Sequence, residues 1–317
     1  INSISIIAID QCFFINNTAI FDHPISSMSP TSENETDFDD NIQKSFCGAL
    51  FINISSSEST EIIPSLTVIE STFQENKAEG NFGAVYLHCK DLIVSVLFDI
   101  CKFKDNLAEG ECGALFIEDF ANSSSTISVS NALFSGNKAE GDIGGIKIES
   151  IEGKSIISLR EVMVVSNSAG GDFGGLHVNT NNGIMIDESL FMNNTAKEKF
   201  TTSSFSPTDS FFATGSGNWT IQRTNFTKGS LANEGTNIQI SILISKESEV
   251  HFVFDFCMFS IINPTLSQIY IENENNHSYI SFTRSHFSHF YTQPSQSRRY
   301  MSNYVSDYDH IYVNKEC

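Results

Sequence analysis

Six of the seven cysteines have positions that suggest disulfide chemistry. Cys12 and Cys101 each stand two residues before a phenylalanine, whereas Cys47 and Cys112 each stand directly before a glycine. Both stretches that have a cysteine before the phenylalanine also have one before the glycine. A disulfide between the two cysteines of a stretch would close one structural unit. Disulfides would indicate an oxidising compartment, and the alternative is that these thiols are small core side chains. We predict the following pairs, the last being the weakest: Cys12–Cys47, Cys101–Cys112 and Cys257–Cys317.

A second group of candidates is formed by sequons for N-glycosylation. Such sites carry glycans in secreted eukaryotic proteins and have no role in a bacterial protein. Two of them immediately precede another asparagine, and strand alternation is expected to turn them outward. The eight sequons begin at Asn16, Asn34, Asn53, Asn122, Asn193, Asn218, Asn225 and Asn276.

Acidic residues at regular spacing could hold a cation. Glu79, Glu109 and Glu140 follow one another at intervals of 30 and 31 residues. Like charges about 5 Å apart repel each other, and carboxylate oxygens are the ligands that calcium prefers. Lys77 and Lys138 are close enough in sequence to offset this charge, so we predict no cofactor and keep calcium as the minor alternative.

Few residues have the arrangement that catalysis needs. The pair Asp39-Asp40 has no accompanying histidine or basic element, and His286-x-x-His289 lacks metal-ligand spacing. Neither a Gly-Lys-Ser/Thr phosphate loop nor a Gly-x-Ser-x-Gly elbow occurs. The net charge of −20 argues against nucleic acid and anionic membranes, and the apolar runs are too short to span a bilayer. We predict a protein that is not an enzyme and neither binds nucleic acid nor inserts into a membrane.

These residues are placed by an internal repeat. Four stretches align without gaps, and their leading asparagines are 30, 31 and 30 residues apart. An aromatic or aliphatic residue stands three positions before each asparagine, and a Gly-Gly or Gly-Ala pair with an alternating apolar run follows it. A repeated unit of this length is typical of a solenoid. Stacked units would align the asparagines in a structural ladder of side-chain amides, formed by Asn17, Asn76, Asn106, Asn137, Asn167 and Asn194.

Alternating apolar residues predict strands, and no helical period is visible. With about nine such units, the sequence predicts an all-β parallel β-helix of about nine coils in a single domain over 1–317. The coils are regular over 1–196 and degenerate over 197–317. Two columns should point inward: Val85, Leu115, Ile146 and Leu176, and Leu87, Ile117, Ile148 and Val178. The outward aromatic residues Phe51, Tyr86 and Phe116 either bind sugar rings or a partner, or cover one another.

The repeat resembles that of the chlamydial polymorphic outer membrane proteins, which also occurs in some eukaryotic surface proteins. The resemblance rests on Phe73/Asn76, Phe103/Asn106, Phe134/Asn137 and Phe191/Asn194, each paired with Gly-Ala or Gly-Gly except the last. It implies a right-handed β-helix on a cell surface that is used in adhesion. Beyond residue 196, Phe226, Phe259 and Phe287 keep the aromatic side chain and lose the asparagine.

Three insertions, 22–45, 197–210 and 292–308, interrupt the repeat between the Phe-x-x-Asn element and the next strand. Solenoids often carry binding loops on one edge. We therefore predict an extracellular or cell-surface module, adhesin-like, that binds a protein or glycan on another surface through these loops. The alternative is a structural subunit that stacks end to end on copies of itself into a filament. A polysaccharide-active enzyme is the lesser alternative.

Overall fold

Short strands follow one another around a coil and pair in parallel with the equivalent strands of the next coil. The computed structural model describes residues 6–19, 47–55, 63–90, 92–121, 124–197, 208–228, 238–244, 249–261, 269–273, 278–288 and 311–314. These ranges contain strands, turns and bends, and they include no helix that could span a membrane.

Two sheets have nine strands each and lie next to each other along every coil. Sheet 1 consists of β1 (Ile6–Asp10), β5 (Ser65–Ile69), β9 (Ser95–Asp99), β13 (Thr126–Ser130), β17 (Ile156–Arg160), β21 (Ile184–Asp187), β25 (Gly217–Gln222), β28 (Val250–Asp255) and β31 (Tyr279–Thr283). Sheet 2 consists of β2 (Phe13–Ile15), β6 (Thr72–Gln74), β10 (Lys102–Lys104), β14 (Leu133–Ser135), β18 (Met163–Val165), β22 (Leu190–Met192), β26 (Asn225–Lys228), β29 (Met258–Ile261) and β32 (His286–Ser288).

The other two sheets differ in size. Sheet 3 has six strands of two residues: β3 (Thr18–Ala19), β7 (Lys77–Ala78), β11 (Leu107–Ala108), β15 (Lys138–Ala139), β19 (Ser168–Ala169) and β23 (Thr195–Ala196). Sheet 4 has nine strands: β4 (Leu50–Ser55), β8 (Val85–Lys90), β12 (Leu115–Phe120), β16 (Ile146–Ser150), β20 (Leu176–Thr180), β24 (Thr208–Gly215), β27 (Ile238–Ile244), β30 (Ile269–Asn273) and β33 (Ile311–Asn314).

The chain visits the sheets in the same order in every coil. Coils one to six pass from sheet 1 through sheets 2 and 3 to sheet 4, and coils seven to nine pass through sheets 1, 2 and 4 within the described ranges. All pairings between neighbouring coils are parallel. The predicted all-β parallel β-helix is therefore confirmed, and its coils have four strands in the first part and three in the second.

Alternation of side chains decides which face of each strand is buried. In β5, Leu66 and Val68 are buried while the residues between and beside them are partly exposed. The two columns predicted to point inward are in register across β8, β12, β16 and β20, and all eight side chains are fully buried. Period-two alternation thus specified the register.

The corners use a backbone conformation that non-glycine residues adopt infrequently. One residue after each sheet-1 strand has a positive φ, and so does the residue before each asparagine of the ladder. The first column consists of Gln11, Glu70, Ile100, Asn131, Glu161, Glu188, Arg223, Phe256 and Arg284, and the second of Asn16, Glu75, Asp105, Gly136, Ser166 and Asn193. These residues end the alternating runs earlier than the sequence pattern indicates, because a left-handed residue turns the chain out of the strand.

Aromatic rings stack along the interior from coil to coil. The rings of Phe14, Phe73, Phe103 and Phe134 lie with centroids 4.8, 4.8 and 4.5 Å apart and nearly parallel planes. Val164 interrupts this column. It resumes with Phe191, Phe226 and Phe259, whose successive centroids are 5.0 and 5.4 Å apart. Phe73, Phe103 and Phe226 therefore have aromatic neighbours on both sides, which adds to their burial energy.

Candidate functional site

Two of the three insertions leave the coil at the corner between sheets 3 and 4, and the third leaves between a sheet-2 strand and a sheet-4 strand. In the regular coils this connection is short, as in residues 79–84 between β7 and β8. The insertions 22–45, 197–210 and 292–308 fall between β3 and β4, between β23 and β24, and between β32 and β33. One loop-bearing corner therefore stays a prediction. The loops themselves lie outside the described residues, except Lys197 and the three residues Thr208, Asp209 and Ser210, which belong to β24 rather than to the insertion.

Glycine makes this corner tight enough for coils to stack. A Cβ atom on Gly83 would lie 2.4 Å from the carbonyl oxygen of Gly113, and one on Gly113 would lie 2.5 Å from that of Gly144. Contacts this short with backbone atoms have no room to relax. The Gly-Ala or Gly-Gly pair of the repeat is therefore required by the close approach of successive coils.

The residue before this glycine folds back over the outer face of sheet 4. We call the resulting cluster the outer layer. Phe82 stacks on Tyr86 with ring centroids 4.2 Å apart, and Tyr86 stacks on Phe116 at 5.2 Å. The outward aromatic residues thus cover one another and are covered by the corner, which is the second of the two predicted alternatives. The outer layer consists of Phe82, Tyr86, Cys112, Phe116, Ile143, Phe173 and Phe212, with Cys47, Phe51 and Leu243 packed against it.

A polar cluster borders the outer layer on the same face. The Tyr86 hydroxyl donates a short hydrogen bond to Glu118, and Nδ1 of His88 lies 2.8 Å from Oε2 of Glu118. Burial by itself raises the pKa of Glu118, but the hydrogen bonds from His88 and Tyr86 outweigh it and lower that pKa. Of these three residues the sequence indicated Tyr86 alone, although His88 and Glu118 occupy equivalent positions of adjacent coils.

Lys147 closes the polar cluster over an aromatic ring. Its Nζ lies 4.5 Å from the centroid of Phe116, 3.0 Å from Glu149 and 3.3 Å from Glu111. Burial lowers the pKa of Lys147, while the two carboxylates raise it by more, so the net shift is upward. The lysine is therefore charged and paired with both carboxylates.

His177 is the next residue in the column of Lys147. Both ring nitrogens are buried without a hydrogen-bond partner, and the ring lies 4.7 Å from Phe173 and 5.0 Å from Phe212. Burial, with the nearby charge of Lys147, lowers the pKa of His177 to about 3. The neutral imidazole acts here as an aromatic filler of the outer layer.

The predicted asparagine ladder is present and runs through coils one to six. Asn106 donates from its backbone N–H and from Nδ2 to Oδ1 of Asn137, at 3.1 and 2.8 Å, and Nδ2 also donates to the carbonyl oxygen of Phe73. The same pairing repeats at each step along the series Asn17, Asn76, Asn106, Asn137, Asn167 and Asn194. Since the polar side-chain atoms of the inner members are satisfied by one another and by backbone, the ladder is structural.

The acidic column at the corner is partly neutralised by lysines. Nζ of Lys77 lies 2.8 Å from Glu109, and Nζ of Lys138 lies 2.5 Å from Glu140. Among the described residues, no group of three or more histidine, cysteine, aspartate or glutamate side chains could hold a metal ion. The geometry of this column gives the calcium alternative no support. Asp39 and Asp40 lie outside the described ranges.

The predicted disulfides Cys12–Cys47 and Cys101–Cys112 are not formed, and all four cysteines are free thiols. Cys101 lies in the interior of the coil, whereas Cys112 belongs to the outer layer. The joint occurrence of the two cysteines in a coil therefore reflects their places in two separate apolar columns, and the two residues do not face each other. Cys257 is also a free buried thiol, and Cys317 lies outside the described residues.

Burial makes these thiols poor nucleophiles. It raises the pKa of Cys47 and Cys101 to about 11 and that of Cys112 to about 12. The thiolate is the reactive form of cysteine, so thiols with such pKa values are inert at neutral pH. The predicted alternative, small core side chains, is what the structure has.

Sequons on the described surface are accessible. Asn16, Asn53, Asn218 and Asn225 are exposed, and Asn193 is half-buried. Asn16 and Asn193 stand at left-handed corners directly before a ladder asparagine. The remaining sequons, Asn34, Asn122 and Asn276, lie outside the described residues.

Comparison with known proteins gives no match to a family model, a curated protein or a solved structure. The resemblance to the chlamydial-type repeat stays a prediction that rests on the Phe-x-x-Asn and glycine elements.

Proposed function

We propose that this chain is a non-catalytic extracellular display protein, adhesin-like, whose β-helix presents loops to a protein or glycan on another surface. The observation that carries this proposal is that each of the three insertions directly precedes a sheet-4 strand, in coils one, six and nine. With about 4.8 Å between coils, the exits are spaced by about 24 Å and about 14 Å along the rod. A rigid scaffold that displays several loops on one edge favours contact with an extended surface.

Two further features support an extracellular role. Four sequons lie exposed on the coils, where a glycan can be attached without disturbing the core. The net charge of −20 favours solubility and repulsion between copies. The free thiols remove disulfides as an argument for an oxidising compartment.

Loop replacement tests the proposal. Residues 20–46 and 197–207 are each replaced by the regular connection 79–81, and residues 289–310 by 261–268, which keeps every described strand. The intact chain and the variant are applied to a glycan array and to collagen, fibronectin and laminin, with circular dichroism as the folding control. We expect the intact chain to bind at least one of these probes and the folded variant to lose that binding. Equal binding by both, or no binding by the intact chain, would overturn the loop-mediated contact.

Assembly through the coil ends is the second candidate function. It is favoured by the first coil, whose four strands pair on one side alone as far as the described residues show, and whose Ile6 and Phe13 are 64% and 71% exposed. Unpaired strand edges with apolar side chains are sites of further pairing. Electron microscopy of native material separates the candidates: isolated short rods favour display, and filaments with an axial repeat of one rod length favour a structural subunit.

A further inference from the structure

The outer face of sheet 2 carries a strip of apolar side chains in its middle coils. The strip is continuous because β14, β18 and β22 pair in register, so that their outward residues stand next to one another. Met163 at its centre is 44% exposed, and the other members are half-buried. We call this set the sheet-2 strip, and it consists of Leu133, Met163, Val165, Leu190 and Met192.

The charge of this face differs from that of the chain. Of the 38 acidic residues, none lies in the nine strands of sheet 2 as described, whereas sheets 1 and 4 each contain several. The strip adjoins Lys102 and Lys104 of β10 on one side and Asn225 and Thr227 of β26 on the other. A net charge of −20 makes copies of the chain repel each other. The strands of this face add no negative charge to that repulsion.

We propose that two copies of this chain associate face to face through the sheet-2 strip, with their rods antiparallel. A two-fold axis that runs along the strands at β18 places Met163 against Met163 of the second copy, and Leu133 against Leu190. Contact of one surface with itself suits a closed dimer. Burial of the apolar side chains drives the association, and the flexible methionines adapt to the opposing surface. This inference goes beyond the proposed function and does not depend on it.

The two lysines decide the relative direction of the rods. In the antiparallel dimer, Lys102 faces Asn225 of the second copy, by the register from β10 to β26. Lys104 faces Thr227 in the same way. The alternative two-fold axis runs along the rods and reverses the strand direction, which places Lys102 opposite Lys104 of the second copy at two points. Because like charges in contact oppose association, the antiparallel arrangement is favoured.

The proposed dimer makes a demand on one of the sequons. Asn225 begins a sequon that ends at Thr227, and its side chain is exposed in the single chain. In the dimer Asn225 faces Lys102 of the second copy, and a glycan at this position would hold the two faces apart. The proposal therefore requires an unmodified Asn225. Sequons on other sheets, such as those at Asn53 and Asn218, are unaffected.

Sedimentation velocity of the full chain, produced in bacteria, tests the dimer. Because the strip spans three coils, the interface belongs to the weak class that buries less than about 1,200 Å² in total. We expect a dissociation constant of about 10–100 µM. Met163→Glu places two carboxylates against each other at the two-fold axis and should weaken the dimer at least about tenfold. The matched control is Met185→Glu on sheet 1, since Met185 is also 44% exposed, and it should leave the dimer unchanged. A monomer up to about 500 µM, well above the expected dissociation constant, or equal weakening by both variants, would overturn the proposal.

Rescue by opposite charges tests the antiparallel register. Leu133→Lys and Leu190→Glu each place an unpaired charge in the interface, and each should weaken the dimer about tenfold. Combined in one chain, the introduced ammonium and carboxylate face each other across the interface twice and should restore most of the lost affinity. The control combines Leu133→Lys with Met192→Glu, which faces Ser135 of the second copy, and should restore less. Failure of the first pair to rescue, or equal rescue by both, would overturn the register. A glycan found on Asn225 of native material by mass spectrometry would overturn the dimer itself.

Discussion

The first six coils and the last three belong to one solenoid, but the described parts of their coils are built differently. Up to β24 each coil has a ladder asparagine, a left-handed residue before it and a two-residue strand in sheet 3. From β25 on, sheets 1, 2 and 4 continue, while β26 and β29 have four residues where the earlier sheet-2 strands have three. The extra residue is the one that would otherwise turn left-handed, so the strand continues where the regular coils bend.

This difference separates two structural roles of the repeat, that of the aromatic stack and that of the asparagine ladder. The aromatic stack of Phe191, Phe226 and Phe259 crosses the boundary without a break, so it does not depend on the asparagine. The last coils also place larger side chains in sheet 1, where Trp219 and Phe252 stack at 4.8 Å. Among the described residues, the ladder therefore accompanies the additional corner and sheet 3, and the aromatic stack and strand pairing continue without it.

The largest effect is expected from the feature that both regions share. Phe103→Ala in the regular coils and Phe259→Ala in the last coils each remove a fully buried ring and leave a cavity. We expect each to lower the free energy of unfolding by about 3–5 kcal/mol, measured by urea titration. A much smaller decrease in the free energy of unfolding for Phe259→Ala would show that the last coils do not depend on the aromatic stack, and the two regions would then not share this feature.

The next largest loss of stability is expected on substitution of a ladder asparagine, a residue that the regular coils alone contain. Asn137→Leu removes two donors and an acceptor that four hydrogen bonds use, and it leaves the buried backbone N–H of Asn106 without its acceptor. We expect a loss of about 2–4 kcal/mol in urea titration. The matched control is Asn225→Leu on the exposed face of β26, with a change below about 0.5 kcal/mol. Similar losses for both variants would contradict a special role of the ladder.

Acid should weaken the regular coils through His177. Its pKa is about 3 in the folded chain, whereas that of an unfolded histidine is about 6.5. Between these values the unfolded chain binds a proton that the folded chain does not, so stability falls as the pH decreases from 6.5 towards 3. We expect this residue to account for about 1–3 kcal/mol of the loss between pH 7 and pH 4.

The substitution His177→Phe should remove that contribution, because a phenyl ring fits between Phe173 and Phe212 and does not titrate. The measurement is thermal unfolding of the variant and of the wild-type chain across this pH range. An unchanged acid dependence in His177→Phe would show that other groups determine it.

Exposed ion pairs should matter least in both regions. Arg284 pairs with Asp255 across the last coils, and the guanidinium lowers the pKa of that carboxyl through a hydrogen bond. Because the arginine is 62% exposed, Arg284→Gln should cost about 0.5 kcal/mol or less. Lys77→Gln in the regular coils should have no measurable effect, and added calcium should not change the melting temperature of either variant. A calcium-dependent increase in the melting temperature of Lys77→Gln would support a cation site at Glu79 and Glu109.

Much of the fold could be predicted because the code for a solenoid is local and repeated. The alternation in β5, β8 and their equivalents specified the buried columns, and the Phe-x-x-Asn spacing specified the ladder. The left-handed corners were missed because their residues, such as Glu70, Ile100 and Arg223, share no side-chain type. What they share is a place at the surface of a turn, and a single sequence does not reveal it.

The sequence by itself determined the coil period and the register, since each follows from spacing along the chain. When two columns of residues have the same pattern in sequence, only the tertiary structure decided whether their side chains face the interior of the coil or its outer layer. Cys101 and Cys112 recur with equal regularity, yet one packs inside the coil and the other in the outer layer. Likewise, Tyr86 alternates as an exposed residue would, but the preceding corner folds over it. Contacts of this kind form between segments that the chain path brings together, so no local pattern specifies them.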